Sequence, residues 1–105
     1  MKVYRYEVID KGVHKGFLTA FDDYFGENTI FELCGFFEHK LPDPDINMKN
    51  TISYFTEKGN RTFNKAIKAA KKKYFEKGLD FICIVKELDE KLIVYKDKYQ
   101  VIIKT

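Results

Sequence analysis

The spacing of apolar residues changes several times along the chain, and each spacing predicts one kind of element. From residue 4 to residue 8 every second position is aromatic or aliphatic, which predicts a β-strand over residues 2–9. A turn is expected at residues 10–12, because Gly12 has no Cβ and adopts positive φ without strain. Residues 13–17 are then expected to return as a second, shorter strand.

The segment that follows has helical spacing. Thr19 is the expected N-cap of this helix, and Gly26 is expected to end it. A second short helix is expected from residue 28 or 29 to residue 37, before a loop over residues 40–50 that contains two prolines. The aromatic residues that define the first helical stripe lie at i, i+4, i+7 and i+8: Phe17, Phe21, Tyr24 and Phe25.

A long helix near residues 61–77 is the clearest element of the pattern, and a strand over residues 51–56 is expected to precede it. Asn60 or Thr62 is expected to cap this helix, and Gly78 stands where a glycine commonly follows a helix C-terminus. Its apolar positions recur at i, i+4, i+7 and i+11 and predict one buried stripe: Phe63, Ile67, Ala70 and Tyr74.

The C-terminal part of the chain returns to strand spacing. Residues 81–85 are apolar on both faces, which predicts a central strand with Cys83 in the core. Short turns separate it from strands near residues 92–95 and 99–104, and such short links predict an antiparallel meander. The chain is therefore expected to be a single α+β domain over residues 1–105. Its mostly antiparallel four- or five-stranded sheet would carry one long helix packed across it and short Phe-rich helices.

Composition agrees with one globular domain. Of the 105 residues, 45% are hydrophobic and 33% are charged, a balance that argues against disorder. The first residues lack the apolar stretch of a signal peptide, and no apolar run approaches the roughly 18 residues that a membrane span needs. A cytoplasmic protein that makes no membrane contact is therefore expected, and its two cysteines do not form a disulfide framework.

Charge is unevenly distributed along the chain. Residues 1–48 carry five Lys/Arg against nine Asp/Glu (−4), whereas residues 49–105 carry fourteen against seven (+7), which together give the net +3. On the long helix, four cations fall opposite the buried stripe: Arg61, Lys65, Lys68 and Lys72. These residues are the predicted binding site, for an acidic protein surface or a nucleic acid backbone. The alternative interpretation is that these four cations form the solvent-exposed side of the helix and bind no partner.

The residue types of metal and catalytic sites occur here without the spacing that those sites need. His14, Cys34, His39 and Cys83 form no C-x-x-C or H-x-x-x-H pattern, and the single serine, Ser53, is not part of a G-x-S-x-G motif. No metal site, no cofactor and no catalytic residue is therefore predicted. A non-catalytic binding protein is the leading hypothesis.

An enzymatic alternative depends on two short strand motifs. Tyr4-Arg5-Tyr6 on a first strand and Ser53-Tyr54 on a later one resemble the arginine and serine strands of ADP-ribosyltransferase-like folds. That resemblance implies a small or degenerate enzyme with a catalytic glutamate on a later strand. Glu87-Leu88-Asp89 is the nearest match and departs from the E-x-E pattern. A pocket that holds Arg5, Ser53 and an acidic side chain would favour this function.

Two further hypotheses concern the whole chain. Its Lys/Ile/Phe/Tyr-rich composition, small size and Tyr-Arg-Tyr-Glu opening resemble small accessory proteins of phages and mobile elements of AT-rich bacteria. That resemblance implies a binding protein, and it includes inhibitors that act by covering a host protein. A self-associating structural protein, with a possible homo-dimer, is the other alternative. It would use surplus phenylalanines: Phe17, Phe21, Phe25, Phe36 and Phe37.

Overall fold

The computed structural model describes residues 1–26 and 44–105, which fold into a curled antiparallel sheet with helices against one face. The strands within these ranges are β1 (Lys2–Asp10), β2 (Val13–Gly16), β3 (Thr51–Phe55), β4 (Asp80–Glu87), β5 (Ile93–Lys96) and β6 (Gln100–Lys104). The helices are α1 (Phe17–Phe25), α2 (Glu57–Thr62) and α3 (Asn64–Glu76), and Glu90–Leu92 forms a 3-10 turn. None of these helices is long and apolar enough to cross a membrane. The α+β class and the antiparallel sheet are as predicted.

Strand β1 holds the sheet together because both of its edges are paired. Strand β4 runs antiparallel along one edge, in register from Lys2 opposite Glu87 to Ile9 opposite Asp80. The other edge is shared, since β3 meets β1 at Tyr4 whereas β2 pairs with Glu7–Asp10. Beyond β3 the order continues with β6 and then β5. The sheet therefore forks on this side of β1, between residues 4 and 7.

The β1–β2 hairpin turns as its sequence predicts. Lys11 and Gly12 both have positive φ, of 49° and 80°. Two successive positive φ values define the type I′ turn, whose twist matches the twist of antiparallel strands. This tight connection sets the register that places Glu7 opposite Gly16.

Each face of the sheet buries its own core. The helix side carries the larger cluster, in which the predicted stripe of α3 packs against aromatic residues of α1 and β3. The opposite face buries a smaller cluster on β1, β3 and β6. All four predicted stripe residues are buried, as are the following members of the smaller cluster: Val3, Tyr54, Leu88, Val101 and Ile103.

The single long helix predicted over residues 61–77 is instead two helices, α2 and α3, which meet at Phe63. The first begins at Glu57, earlier than predicted, because the Thr56 hydroxyl accepts a hydrogen bond from the Gly59 amide at 3.0 Å. Thr56 is therefore the N-cap, and the prediction of Asn60 or Thr62 was wrong. A break at Phe63, with φ −96° and ψ 12°, then redirects the chain into α3.

The predicted end of the helix is confirmed. Gly78 has a φ of 75° and follows α3 directly. Its amide donates to the Phe75 carbonyl at 2.9 Å, and the Leu79 amide donates to the Tyr74 carbonyl at 3.0 Å. These two bonds form a Schellman motif, which satisfies carbonyls that the last helical turn leaves free.

The predicted three-stranded meander is wrong in one strand. Strands β5 and β6 do form an antiparallel hairpin, but β4 pairs with β1 and not with β5. Among the described strands β4 thus lies at the edge of the sheet, and Cys83, predicted in the core, is exposed. The apolar run at 81–85 reflects two half-covered faces, with Phe81 against the helix side and Ile82 and Ile84 on the other.

Two predictions for the first helical region have different outcomes. Helix α1 begins at Phe17, with Gly16 at the N-cap position, so Thr19 is inside the first turn and is not the cap. Gly26 ends the helix with a φ of 99°, as expected. The second short helix predicted up to residue 37 lies outside the described residues.

Candidate functional site

The predicted cations form one exposed stripe, which we call the basic face: Arg61, Lys65, Lys68 and Lys72. Arg61 lies on α2 and the three lysines lie on α3, opposite the buried stripe. All four side chains are exposed, and the three lysines are spaced three and four residues apart on α3, whose other side packs on the sheet. The structure therefore exposes all four predicted residues and places three of them along one side of α3.

A concave surface of about 450 Å³ continues from the basic face, and we call it the basic basin. Arg61 belongs to both surfaces. Two carboxylates, Glu57 and Asp97, also line the basin. Its cations come from β1, from α2, from β5 and from the turn after β5: Lys2, Lys58, Arg61, Lys96 and Lys98. Sequence spacing could not reveal this convergence, because the cations come from three separate segments: Lys2, the pair Lys58 and Arg61, and the pair Lys96 and Lys98.

Internal hydrogen bonds already occupy the Asp97 carboxylate. Its Oδ1 accepts from the Tyr99 and Gln100 amides at 2.8 and 2.9 Å, and its Oδ2 accepts from the Tyr95 hydroxyl at 2.7 Å. Burial acts to raise the pKa of Asp97, but these hydrogen bonds outweigh it and hold the pKa below its usual value. Asp97 therefore serves the turn before β6 and is not directed at the neighbouring lysines.

The cations of the basic face and basin lack carboxylate partners in the described part of the chain. The ion pairs there join Glu87 to the Met1 amine, Glu7 to Arg5 and His14, and Lys15 to Asp23. Met1 also lines the basin and its amine is paired with Glu87, but none of these pairs includes a lysine or arginine of either surface. Like charges repel at such spacings, so an anionic partner would relieve a cost that no ion pair within residues 1–26 and 44–105 offsets.

Phe75 is an aromatic residue of this region that the sequence argument missed. Its side chain is 53% exposed, and the Lys71 Nζ lies 5.5 Å from its ring centroid. It lies three residues after Lys72, so it extends the basic face by one turn of α3. The signal was present in the sequence, because position 75 is about 100° around the helix from the buried Tyr74.

The sheet fork contains a second concave feature, a cleft of about 540 Å³. Arg5 crosses it, and its Nη1 donates to the Ser53 carbonyl at 3.0 Å. On the other side of the fork Gly16 leaves room for this guanidinium, because a Cβ there would lie 3.1 Å from Nη2. The Arg5 guanidinium therefore lies between β2 and β3 where the sheet forks, bonded to β3 and close to Gly16 of β2.

Glu7 balances the charge of Arg5. The Arg5 Nε lies 2.7 Å from the Glu7 Oε2, and the His14 Nδ1 lies 3.0 Å from the Glu7 Oε1. Burial alone would raise the pKa of Glu7, but the hydrogen bonds and charges of Arg5 and His14 lower it below its ordinary value. Arg5 and Glu7 are thus a mostly buried structural pair.

Arg5 and Ser53, the residues of the ADP-ribosyltransferase resemblance, both line the cleft at the sheet fork, but no acidic side chain is among its described lining residues. Arg5 contacts the Ser53 carbonyl and not its hydroxyl. Strand alternation places the Arg5 side chain on the face of Val3 and the Ser53 side chain on the face of Phe55. Glu87 lies opposite Lys2, towards the other end of β1, where its carboxylate pairs with the Met1 amine at 3.0 Å.

The remaining candidate residues are His14, Cys34, His39 and Cys83. His14 is exposed and Cys83 lies on the outer strand β4, while Cys34 and His39 fall outside the described residues. Within the described ranges no three His, Cys, Asp or Glu side chains are grouped to hold a metal ion. Of the phenylalanines proposed for self-association, Phe17 and Phe21 are buried and Phe25 is half-buried. The other two, Phe36 and Phe37, also fall outside the described residues.

Comparison with known proteins finds no matching family model, no matching curated protein and no matching solved structure.

Proposed function

We propose that the protein is a non-catalytic binding protein whose basic face and basin dock on the phosphate backbone of a nucleic acid. The observation that supports this is a group of exposed lysines and arginine on two surfaces that share Arg61, none of which has an ion-pair partner among the described residues. A protein of this kind suits an accessory role, in which it acts by covering another molecule.

A nucleic acid fits this surface better than an acidic protein does. Cations at i and i+4 repeat roughly every 5–6 Å along α3, which suits a polymer that carries an anion at every unit. Protein surfaces intersperse both signs of charge and offer no such regular row. The exposed ring of Phe75, beside Lys71 and Lys72, also provides an aromatic face on which an unpaired base can stack. We therefore favour a single-stranded nucleic acid.

Reversing the charge of Lys65 and Lys68 tests this function. The variant K65E/K68E is expected to bind a fluorescein-labelled oligothymidylate at least about tenfold more weakly, because two phosphate contacts become repulsions. The slope of log K against log salt concentration should decrease by about 1.4 in magnitude, at roughly 0.7 per phosphate contact on a single strand. Fluorescence anisotropy across a salt series measures both quantities.

The matched control is K11E/K91E, which makes the same charge change at two exposed lysines outside the basic face and basin. Binding of this control should stay within about twofold of wild type, since only long-range charge has changed. Equal losses in the two variants, or no binding by wild type, would overturn the proposal. Full competition by polyglutamate at the same charge concentration would instead identify an acidic protein as the partner.

A further inference from the structure

The strands at the edges of the described sheet differ in length and in the regularity of their pairing. Strands β2 and β5 are four residues each, and β5 also has a register shift between Ile93 and Tyr95. Strand β4 is eight residues long and pairs regularly with β1, and its outer edge has no strand partner among the described residues. Short length and bulges are the usual protections of an edge, and β4 lacks both.

The exposed edge of β4 is also apolar at its centre. The run Ile82–Val85 contains no charged residue and no proline, and Val85 is 53% exposed. Cys83 is exposed as well. A long regular strand with an apolar centre readily accepts a further strand, because its outward amides and carbonyls are unpaired. Within the described residues, this edge is therefore available to a further strand.

We propose that β4 pairs with the β4 of a second copy of this chain, which forms a two-fold symmetric dimer with one continuous sheet. Antiparallel pairing across such an edge requires a two-fold axis perpendicular to the sheet. Rotation about that axis leaves the helix-bearing face of both copies on the same side of the joined sheet. Residues directly opposite each other in antiparallel strands also point to the same side. Only residues whose numbers are both odd or both even can therefore face each other.

The position of the axis along β4 defines the register of the two strands. Among the registers that remain, charge favours the one whose axis passes at Cys83. Moving the axis to Ile84 places Lys86 opposite Ile82, and moving it to Ile82 places Asp80 opposite Ile84. With the axis at Cys83, each charged residue between positions 80 and 86 faces the opposite charge in the second copy, and each apolar residue faces an apolar one. The pairs are then Asp80 with Lys86, Phe81 with Val85, Ile82 with Ile84, and Cys83 with Cys83.

This register makes a geometric prediction for the thiols. Opposed Cα atoms in antiparallel pairs are roughly 4.5–5.5 Å apart, within the range that a bridge between two cysteines can span. In a Cys34→Ser background, a short bismaleimide should therefore link two chains through Cys83. The inference does not depend on the proposed function, since no residue of the basic face or basin lies on β4.

The experiment combines this crosslink with a charge swap. Lys86→Asp places two acids opposite each other at both ends of the interface and should raise the dimer Kd at least about tenfold, as measured by sedimentation equilibrium. The double variant D80K/K86D restores opposite charges and should return the Kd to near that of wild type. Asp80 and Lys86 are both exposed, so circular dichroism of each variant should match wild type.

Three results would overturn the inference. The first is a wild-type protein that sediments as a monomer at every concentration tested. The second is a double variant that stays as dissociated as Lys86→Asp. The third is a dimer in which Cys83 does not crosslink, since that dimer would use another surface.

Discussion

Replacing Gly59 by alanine is expected to destabilise the fold by about 3 kcal/mol or more, because an added Cβ meets backbone and not a flexible side chain. The new atom would lie 2.0 Å from the Tyr99 carbonyl oxygen and 2.9 Å from its carbon. The same carbonyl accepts the Thr56 amide at 2.9 Å, so it cannot move without losing a buried hydrogen bond. Chemical denaturation followed by circular dichroism measures the loss.

The matched control is Gly78→Ala. Gly78 has a φ of 75°, but nothing lies within 4 Å of the position of an added Cβ. Its replacement should cost about 1 kcal/mol, from the strained backbone alone. If Gly59→Ala is no more destabilising than Gly78→Ala, then α2 does not pack as closely on the turn before β6 as the structure shows.

This contact also supports the candidate binding surface. Helix α2 carries Lys58 and Arg61, and the Thr56 hydroxyl at its start donates to the Lys98 carbonyl at 2.7 Å. The chain at Gly59 thus holds the cations of α2 beside those of the β5–β6 turn. In Gly59→Ala the basic basin should widen, so binding at low salt should weaken even in protein that remains folded.

Gly59 also shows where sequence reasoning reaches its limit. In the sequence Gly59 follows a strand and is typical of a residue that ends one. The helix was therefore expected to begin after it, near residue 61, and not at Glu57. The group that requires a glycine there is the carbonyl of Tyr99, forty positions later, and no local pattern contains it. By contrast, the buried stripe of α3 was predictable, since it depends only on the helical period.

The candidate site was predictable to a similar extent. The exposure of the three lysines of the basic face follows from local spacing on α3, whereas Arg61 lies on α2, beyond the break at Phe63. The basic basin could not be predicted, because the folded sheet brings Lys2, near the start of the chain, beside Lys96 and Lys98, near its end. The edge position of β4 was also hidden, since an apolar run alone does not say which strand will pair with it.

Replacing Glu7 by glutamine is expected to cost about 2 kcal/mol at pH 7, because it leaves the guanidinium of Arg5 mostly buried without a counter-charge. Only 15% of the Glu7 side chain and 21% of the Arg5 side chain are exposed, so water can replace little of the lost interaction. Glutamine keeps the shape of the side chain, and the effect therefore reports charge and not packing. Urea denaturation of the two proteins measures the difference.

The pH dependence of this difference has a definite sign. The folded protein lowers the pKa of Glu7 from its ordinary value of 4.5, so the carboxylate stabilises the fold above that value. As the pH falls through the lowered folded pKa, Glu7 gains a proton and this stabilisation is lost. The gap between wild type and Glu7→Gln should therefore be constant near pH 7 and shrink below about pH 4.5.

A double-mutant cycle separates the pair from its surroundings. Arg5→Met keeps the aliphatic part of the side chain but removes both the charge and the bond to the Ser53 carbonyl. Glu7→Gln should cost at least about 1 kcal/mol less in the Arg5→Met background than in wild type, since the buried charge is then absent.

Glu90→Gln, at an exposed glutamate outside the described ion pairs, should change stability by less than about 0.5 kcal/mol. Additive losses in the cycle would show that Arg5 and Glu7 stabilise the fork independently, and a gap that does not shrink at low pH would show that the Glu7 carboxylate is not the source.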